Sequence, residues 1–349
     1  MWLLKKSKAL GATGFVKSVG ALAALATISA CGGGSAVAPS TTTPDVTYIG
    51  KTLSVNGRLV TAARLSPIPR YASILAEPQT ILRERRSKKF EYIINNYGSY
   101  ASIFDYPTSD QQIGQITNVG GQGCTNVLYG YGKSTFWIVA SHNRITEYEV
   151  PKKPIRKLSD SFGKPSSCAM STSGDLAVGI LAGSRTHGDV VIYKHASGSG
   201  TLLTTPLTAE YFDGYDNQGN LFADGWSDGG FKLVELPKGK STFEPITTSN
   251  TVKFPGSVQW DGTYLTVFDQ DANSTYRYTV SGTTATLKHT IQFTGSSDCA
   301  QTWIVKDVIY CADAGNDDGE VFKYPAGGSP LAVFTGNFDL PLGTVAAKR

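Results

Sequence analysis

Along most of the chain, apolar and polar residues alternate in runs of about four to eight, the pattern of half-buried β-strands. Phe231-Lys232-Leu233-Val234-Glu235-Leu236 is a clear instance. One kind of run ends in an aromatic residue or leucine, often with proline next, and it recurs. It is read in Ile103-Phe104-Asp105-Tyr106-Pro107, Ile145-Thr146-Glu147-Tyr148, Val190-Val191-Ile192-Tyr193, Leu233-Val234-Glu235-Leu236-Pro237, Thr275-Tyr276-Arg277-Tyr278 and Val321-Phe322-Lys323-Tyr324-Pro325. The six anchors, Tyr106, Tyr148, Tyr193, Leu236, Tyr278 and Tyr324, are separated by 42, 45, 43, 42 and 46 residues. A repeat of about 40–50 residues holding four short strands is the signature of a β-propeller.

Residues 210–252 give the unit in full. An innermost strand at 211–215 leads to a turn at 216–220, a second strand at 221–224, a loop at 225–230, the anchor strand at 231–236, a turn at 237–240 and an outer strand at 242–246. Pro245 in that last strand is tolerated at a sheet edge. The ends of the repeat predict closure. The second strand of the first unit, 90–94, has no innermost strand directly before it, whereas 340–346 reads as an innermost strand with nothing after it. The expectation is an all-β fold, a six-bladed β-propeller of four-stranded blades over 90–349, closed by the C-terminal strand completing the first blade. Pairing the ends removes an exposed edge. Residues 47–89 stay outside the repeat, as extra strands or a short helix near 71–82.

The first 30 residues change the picture of where the protein works. Lys5, Lys6, Lys8 and Lys17 precede an apolar stretch from Val19 to Ala30, too short to span a bilayer, which needs about 20 residues. Ile28-Ser29-Ala30-Cys31 resembles a bacterial lipobox, with residues 1–30 as the signal peptide and Cys31 as the lipidated residue. Residues 31–46, rich in Gly, Ser, Thr and Pro, read as a flexible tether. The expected location is extracytoplasmic, lipid-anchored to the bacterial membrane and facing the periplasm or the cell surface. The net charge of +4 is carried largely by the leader lysines and by Arg83, Arg85, Arg86, Lys88 and Lys89. That distribution leaves no nucleic-acid footprint, and a monomer is expected. Export also gives meaning to Cys124, Cys168, Cys299 and Cys311, an even set in an oxidising compartment. Cys124 and Cys168 are 44 residues apart, one repeat period, and Cys299 and Cys311 flank a hairpin turning near Lys306-Asp307. The favoured pairing is therefore 124–168 and 299–311.

Tyr215-Asp216-Asn217-Gln218-Gly219-Asn220-Leu221-Phe222-Ala223-Asp224-Gly225, Phe254-Pro255-Gly256-Ser257-Val258-Gln259-Trp260-Asp261-Gly262 and Lys323-Tyr324-Pro325-Ala326-Gly327-Gly328 carry a resemblance. As a set they are similar to a family of uncharacterised bacterial lipoproteins with an NHL/YncE-like six-bladed propeller. The resemblance covers roughly 90–349 and implies a fold and an extracytoplasmic address. It implies no activity and transfers no catalytic residue.

Candidate chemistry gathers on the loops between second and third strands, which emerge on one face. The candidate ligand face comprises Tyr97, Tyr100, His142, His187, Trp226, Asp228, Asp269 and Asp271, with Asp317 and Asp318 beside them. Aromatics and carboxylates around a mouth suit a glycan, peptide or protein ligand; the plain alternative is that loops are polar anyway. The leading expectation is a surface-tethered binding or scaffold propeller without catalysis. One alternative is a metal-dependent hydrolase or lyase, resembling six-bladed lactonases that hold calcium in the channel, with Asp216, Asp224, Asp269 and Asp313 as the acids to consider. Those acids do not reproduce that family's pattern, and no Gly-x-Ser-x-Gly elbow or channel histidine pair is present. A further alternative is a purely structural envelope lipoprotein. No cofactor or metal site is predicted, Ca²⁺ being the one ion kept open.

Overall fold

The computed structural model describes residues 46–49, 52–55, 58–61, 79–82, 89–95, 99–106, 111–126, 135–140, 144–150, 153–159, 161–181 and 187–348. The leader with Cys31, residues 83–88, Tyr97 and His142 lie outside the described residues. The chain divides into two compact units, Met1–Leu65 and Ser66–Arg349. In the first, β1 (Val46–Ile49), β2 (Thr52–Val55) and β3 (Arg58–Thr61) form an antiparallel three-stranded sheet.

The second unit is all-β, a propeller-like arrangement of small sheets. The first sheet contains β4 (Gln79–Leu82), β5 (Lys89–Asn95), β6 (Tyr100–Phe104) and β7 (Gln112–Thr117), with the C-terminal strand Pro341–Lys348 paired to β5 and β4 added beyond β7. The second is β8 (Gln122–Thr125), β9 (Thr135–Ala140), β10 (Arg144–Glu149) and β11 (Lys153–Ser159). The third is β12 (Pro165–Met170), β13 (Leu176–Ile180), β14 (Asp189–Tyr193) and β15 (Thr201–Thr204). An eight-stranded sheet follows. One half is β16 (Ala209–Tyr215), β17 (Leu221–Ser227), β18 (Gly230–Leu236) and β19 (Glu244–Thr248). The other is β20 (Val258–Trp260), β21 (Leu265–Asp269), β22 (Ser274–Ser281) and β23 (Thr284–Gln292), joined to the first half by parallel pairing of β19 with β23 at Thr247–Thr284 and Thr248–Ala285. The last sheet is β24 (Cys299–Val305), β25 (Val308–Asp313), β26 (Asp318–Lys323) and β27 (Ala332–Phe334). The C-terminal strand is β28.

The anchors of the sequence repeat are packing residues. Tyr148, Tyr193 and Tyr278 are fully buried, and Leu236 and Tyr324 nearly so. Burying a side chain of Leu or Phe size stabilises a fold by about 1.5–3 kcal/mol. The turns between innermost and second strands hold because a small residue takes the left-handed conformation: Gly219 has φ 91° and Gly262 φ 95°. An aspartate at the head of each turn, three residues before Gly219 and directly before Gly262, ties it. Asp216 Oδ1 accepts the N–H groups of Gln218, Gly219 and Asn220, and Asp261 Oδ1 those of Thr263 and Tyr264. Residues 225–230 differ from the expected loop. β17 runs on to Ser227 and pairs with β18 through to Gly230, leaving a two-residue turn. Asp228 and Gly229 both have positive φ, 52° and 77°, the geometry of an Asp-Gly type I′ hairpin.

Cys124 on β8 is bonded to Cys168 on β12, with Cα atoms 5.8 Å apart, and Cys299 to Cys311 within one hairpin, 5.4 Å apart. The first bridge links two sheets and the second stiffens one. Among the described residues no helix is long and apolar enough to cross a membrane.

Candidate functional site

The innermost strands of the sheets run side by side around the centre. β28 lies against β8, β8 against β12, β12 against β16, β16 against β20, and β24 against β28. Neighbouring sheets are stitched here by side chains standing in for a backbone ladder. Gln259 on β20 accepts the Ile304 N–H at Oε1 (2.8 Å) and donates from Nε2 to the Ile304 carbonyl (3.1 Å). One repeat later, Gln301 on β24 accepts the N–H groups of Gly123 and Thr344 at Oε1 and donates to the Gly123 carbonyl. The Ser257 hydroxyl oxygen accepts the Thr302 N–H at 2.7 Å. All of these are buried, so each bond replaces water that a buried amide would otherwise lack.

What remains at the centre is small. A cavity lined by Gln122, Cys168, Phe212, Asp213, Gln259 and Trp303, among others, has a volume of about 20 Å³. That is room for a few water molecules. Two buried oxygens on its lining, Gln122 Oε1 and Asp213 Oδ1, have no hydrogen-bond partner within the protein.

Beside the cavity lies a chain of carboxyls and hydroxyls. Ser167 Oγ is 2.9 Å from Glu210 Oε1 and 2.9 Å from Asp213 Oδ2, and Ser166 Oγ is 2.8 Å from Glu210 Oε2 and 3.1 Å from the Gly179 carbonyl. A hydroxyl has one proton to give. Ser167 can donate to one carboxyl and must accept from the other, so at least one of the two acids carries a proton. Burial, with the neighbouring Asp213 charge adding to it, raises Glu210 well above the usual carboxylate range, and burial pushes Asp213 up to about 7. The backbone is shaped for this chain: a Cβ on Gly179 would fall 2.0 Å from Glu210 Oε2.

Of the eight candidate ligand-face residues, Tyr97 and His142 lie outside the described residues, and the other six are not in the lining of this cavity. Tyr100 is half-buried and donates from its hydroxyl to the Asn337 carbonyl at 2.5 Å. His187 is exposed. Trp226 is buried, its indole edge-on to Phe254 at 5.7 Å, because the extended β17 turns it inward. Asp228 is exposed at the hairpin turn, and Asp271 is exposed in the loop after β21. Asp269 is fully buried: Oδ2 accepts the Lys253 N–H, and Oδ1 those of Phe254, Asp271 and Ala272. It thus ties the approach to β20 to the loop after β21. Of the acids considered for a channel cation, Asp216 serves its turn, Asp224 is fully buried with Oδ2 accepting the Gly256 N–H, and Asp313 does in the last sheet what Asp269 does before it.

Asp313 differs in its company. Asp318 and Glu320 on β26 bring a carboxylate oxygen each to within 4.8 Å of one on Asp313. Burial, followed by the charge on Asp313, raises both, Asp318 to about 7 and Glu320 to about 8. Glu210, Ser166, Ser167, Gln301 and Glu320 are absent from the sequence-derived candidates. Two signals were available: Gln259 and Gln301 stand 42 residues apart, one repeat, and Asp313, Asp318 and Glu320 have the spacing of Asp269, Ser274 and Tyr276.

No family model matches the chain, and no curated protein matches it. Among solved structures, a protein of unknown function from Bacteroides caccae superposes with TM-score 0.56 at 10% identity, over 75% of this chain and 100% of that one. A chain from a nidogen–laminin complex gives TM-score 0.53 at 10% identity, over 74% of this chain and 98% of that one. A functionally unknown protein from Desulfotomaculum acetoxidans DSM 771 gives 0.51 at 10%, over 74% and 99%. Likeness at this identity shows the fold alone.

Proposed function

We infer that the chain is a lipid-anchored, extracytoplasmic six-bladed propeller that acts as a binding or scaffold module and takes its partner on the loop-bearing surface, outside the channel. The observation that carries this reading is the narrow centre: a cavity of about 20 Å³ is far smaller than the few hundred Å³ of a pocket that takes a sugar or peptide. A hydrolase or lyase working in the channel would need its substrate to enter there, so the same volume weighs against that alternative. Six blades are supported by the two-residue seam that divides the eight-stranded sheet, and by the succession β28, β8, β12, β16, β20, β24 around the centre.

In this reading residues 1–30 are the signal peptide, Cys31 carries the lipid, 31–46 form the tether, 47–89 precede the propeller and 90–349 make it up. Two disulfides suit an oxidising compartment. One of the similarly folded chains comes from a complex of two proteins, nidogen and laminin, which makes a protein partner the class to test first, ahead of glycans and peptides.

The test uses the purified chain on protein, peptide, glycan and cell-wall arrays. Saturable binding that survives Thr302→Val in the channel and weakens with His187→Ala plus Asp271→Ala on the loops is expected. No binding on any array, or binding lost with Thr302→Val alone, overturns the reading. Cys31→Ser tests the anchor separately: the variant should leave the membrane fraction.

A further inference from the structure

We propose that Asp313, Asp318 and Glu320 form a binding site for one hard divalent cation of calcium type, which clamps the 314–318 loop. The site is built by the pairing of β25 with β26. Asp313 and Asp318 are direct partners across the hairpin, and Glu320 follows two residues on, on the same face. One oxygen from each lies within 4.8 Å of the others. Oxygens bound at about 2.3–2.6 Å on opposite sides of Ca²⁺ are separated by about 4.6–5.2 Å, so the spacing fits a shared ion.

The observation independent of clustering is Glu320. Its residue is 2% exposed, and Oε2 has no hydrogen-bond partner. A buried carboxylate oxygen without a donor is costly unless a cation or proton meets it. Asp318 Oδ1 is likewise buried without a partner. Among the described residues none of the three acids has an ion-pair partner. Asp313 is held in place by the N–H groups of Ser297, Asp298, Gly315 and Asn316, at 2.7, 2.9, 2.8 and 3.0 Å. Its contact with Asn316 Nδ2, at 3.2 Å, is the longest and is the one an ion would displace. Asp318 is half-buried, so water from the solvent side completes the coordination shell.

The preceding half-sheet serves as an internal control. There the same three positions hold Asp269, Ser274 and Tyr276; the Tyr276 hydroxyl donates to Asp269, and the Ser274 hydroxyl, 3.1 Å from the Ala272 carbonyl and 2.8 Å from Gln292 Oε1, gives its one proton to one of these. One neutral donor, the Tyr276 hydroxyl, completes that site within the protein. In the last sheet Glu320 takes the place of Tyr276 and shares a side-chain hydrogen bond with Asp313, which two carboxyls can make only while one holds a proton; without that proton three carboxylates face one another, a set that recruits a cation. The consequence reaches the closing strand, because Asp317 Oδ1, in the clamped loop, accepts the N–H of Leu340 just before β28.

The test is calorimetry and thermal unfolding of the full chain, stripped with EDTA and titrated with CaCl₂ and then MgCl₂. Expected are one bound Ca²⁺ per chain, a melting-point rise of about 5 °C near saturation, and at least tenfold weaker binding in Glu320→Gln and in Asp318→Asn. Asp228→Asn, in a different turn, should bind as the parent does. Neither heat nor a melting shift in the parent chain with either salt overturns the proposal, whatever the variants do. Parent-like Ca²⁺ affinity in both Glu320→Gln and Asp318→Asn overturns the assignment to these residues.

Discussion

Asp269 and Asp313 occupy the same place in successive parts of the ring, at the ends of β21 and β25, and each gathers four backbone N–H groups from the approach to an innermost strand and from the loop that follows. Their cross-strand partners differ. Ser274 and Tyr276 surround the first with hydroxyls, whereas Asp318 and Glu320 surround the second with like charge. One backbone frame therefore carries two chemistries. In the first the carboxylate is structural and complete. In the second the structural role persists, and the added acids turn it into a charged site that needs protons or a cation. The presence of an aspartate at the loop decides little; the residues five and seven positions later decide what it does.

The sharpest way to break this comparison is to remove each aspartate in turn. Asp269→Ala strands four N–H donors, two of them at the approach to β20, and should cost about 4 kcal/mol. Asp313→Ala strands as many but also relieves Asp318 and Glu320, so in EDTA it should cost about half as much. Urea unfolding of both variants checks this, and equal losses would mean that the acids around Asp313 do not repel. The Cys299–Cys311 bridge, at the foot of the Asp313 hairpin, has no counterpart around Asp269. Replacing both cysteines with serine should cost about 3 kcal/mol for its 12-residue separation, read from the same curves.

Much of this frame is legible in the chain. The anchors Tyr148, Tyr193 and Tyr278 are the buried packing residues that their spacing suggests, and Cys124 and Cys168, one period apart, do bond across neighbouring innermost strands. The C-terminal segment pairs with β5, as the missing innermost strand before it implies. Side-chain fate was harder to read. Trp226 looks like a mouth aromatic only while 225–230 is a loop; an Asp-Gly turn at 228–229 extends β17 and buries the ring. Asp269 looks free because four of its donors are backbone groups, two of them 15 and 16 residues upstream. Glu320 alternates with apolar neighbours and so reads as a solvent-facing position. Sheets stacked around a centre are covered on both faces, and alternation then stops reporting exposure.

Acidity offers the next test. Burial and the Asp313 charge raise Asp318 to about 7 and Glu320 to about 8, above their unfolded values near 4. Groups raised on folding hold more protons in the folded state, so the stability they contribute is present at low pH and is lost as pH rises through about 7 to 8. In EDTA the chain should be less stable at pH 8 than at pH 5 by about 1–2 kcal/mol after solvent screening. Asp213 and Glu210 push in the same direction. Glu320→Gln should therefore lessen the slope, with Asp318, Glu91, Asp224 and Asp269, all raised by burial, supplying part of what remains; a slope unchanged in that variant would mean that Glu320 does not titrate in this range.

The mildest change makes the two sites alike. Asp318→Ser places in the last sheet the residue that pairs with Asp269 in the half-sheet before it. The position is half-buried, so serine fits without opening a core cavity. Removing one of three facing charges should raise stability in EDTA at pH 8 by about 1 kcal/mol. In saturating CaCl₂ the sign should reverse, because the parent gains from the ion and the variant loses a ligand. The reversal needs the acids both to repel and to bind, so urea midpoints of parent and variant in the two buffers measure both properties of the same three residues. If Asp318→Ser changes stability in the same direction in both buffers, the contrast between the two aspartates is one of packing and not of charge.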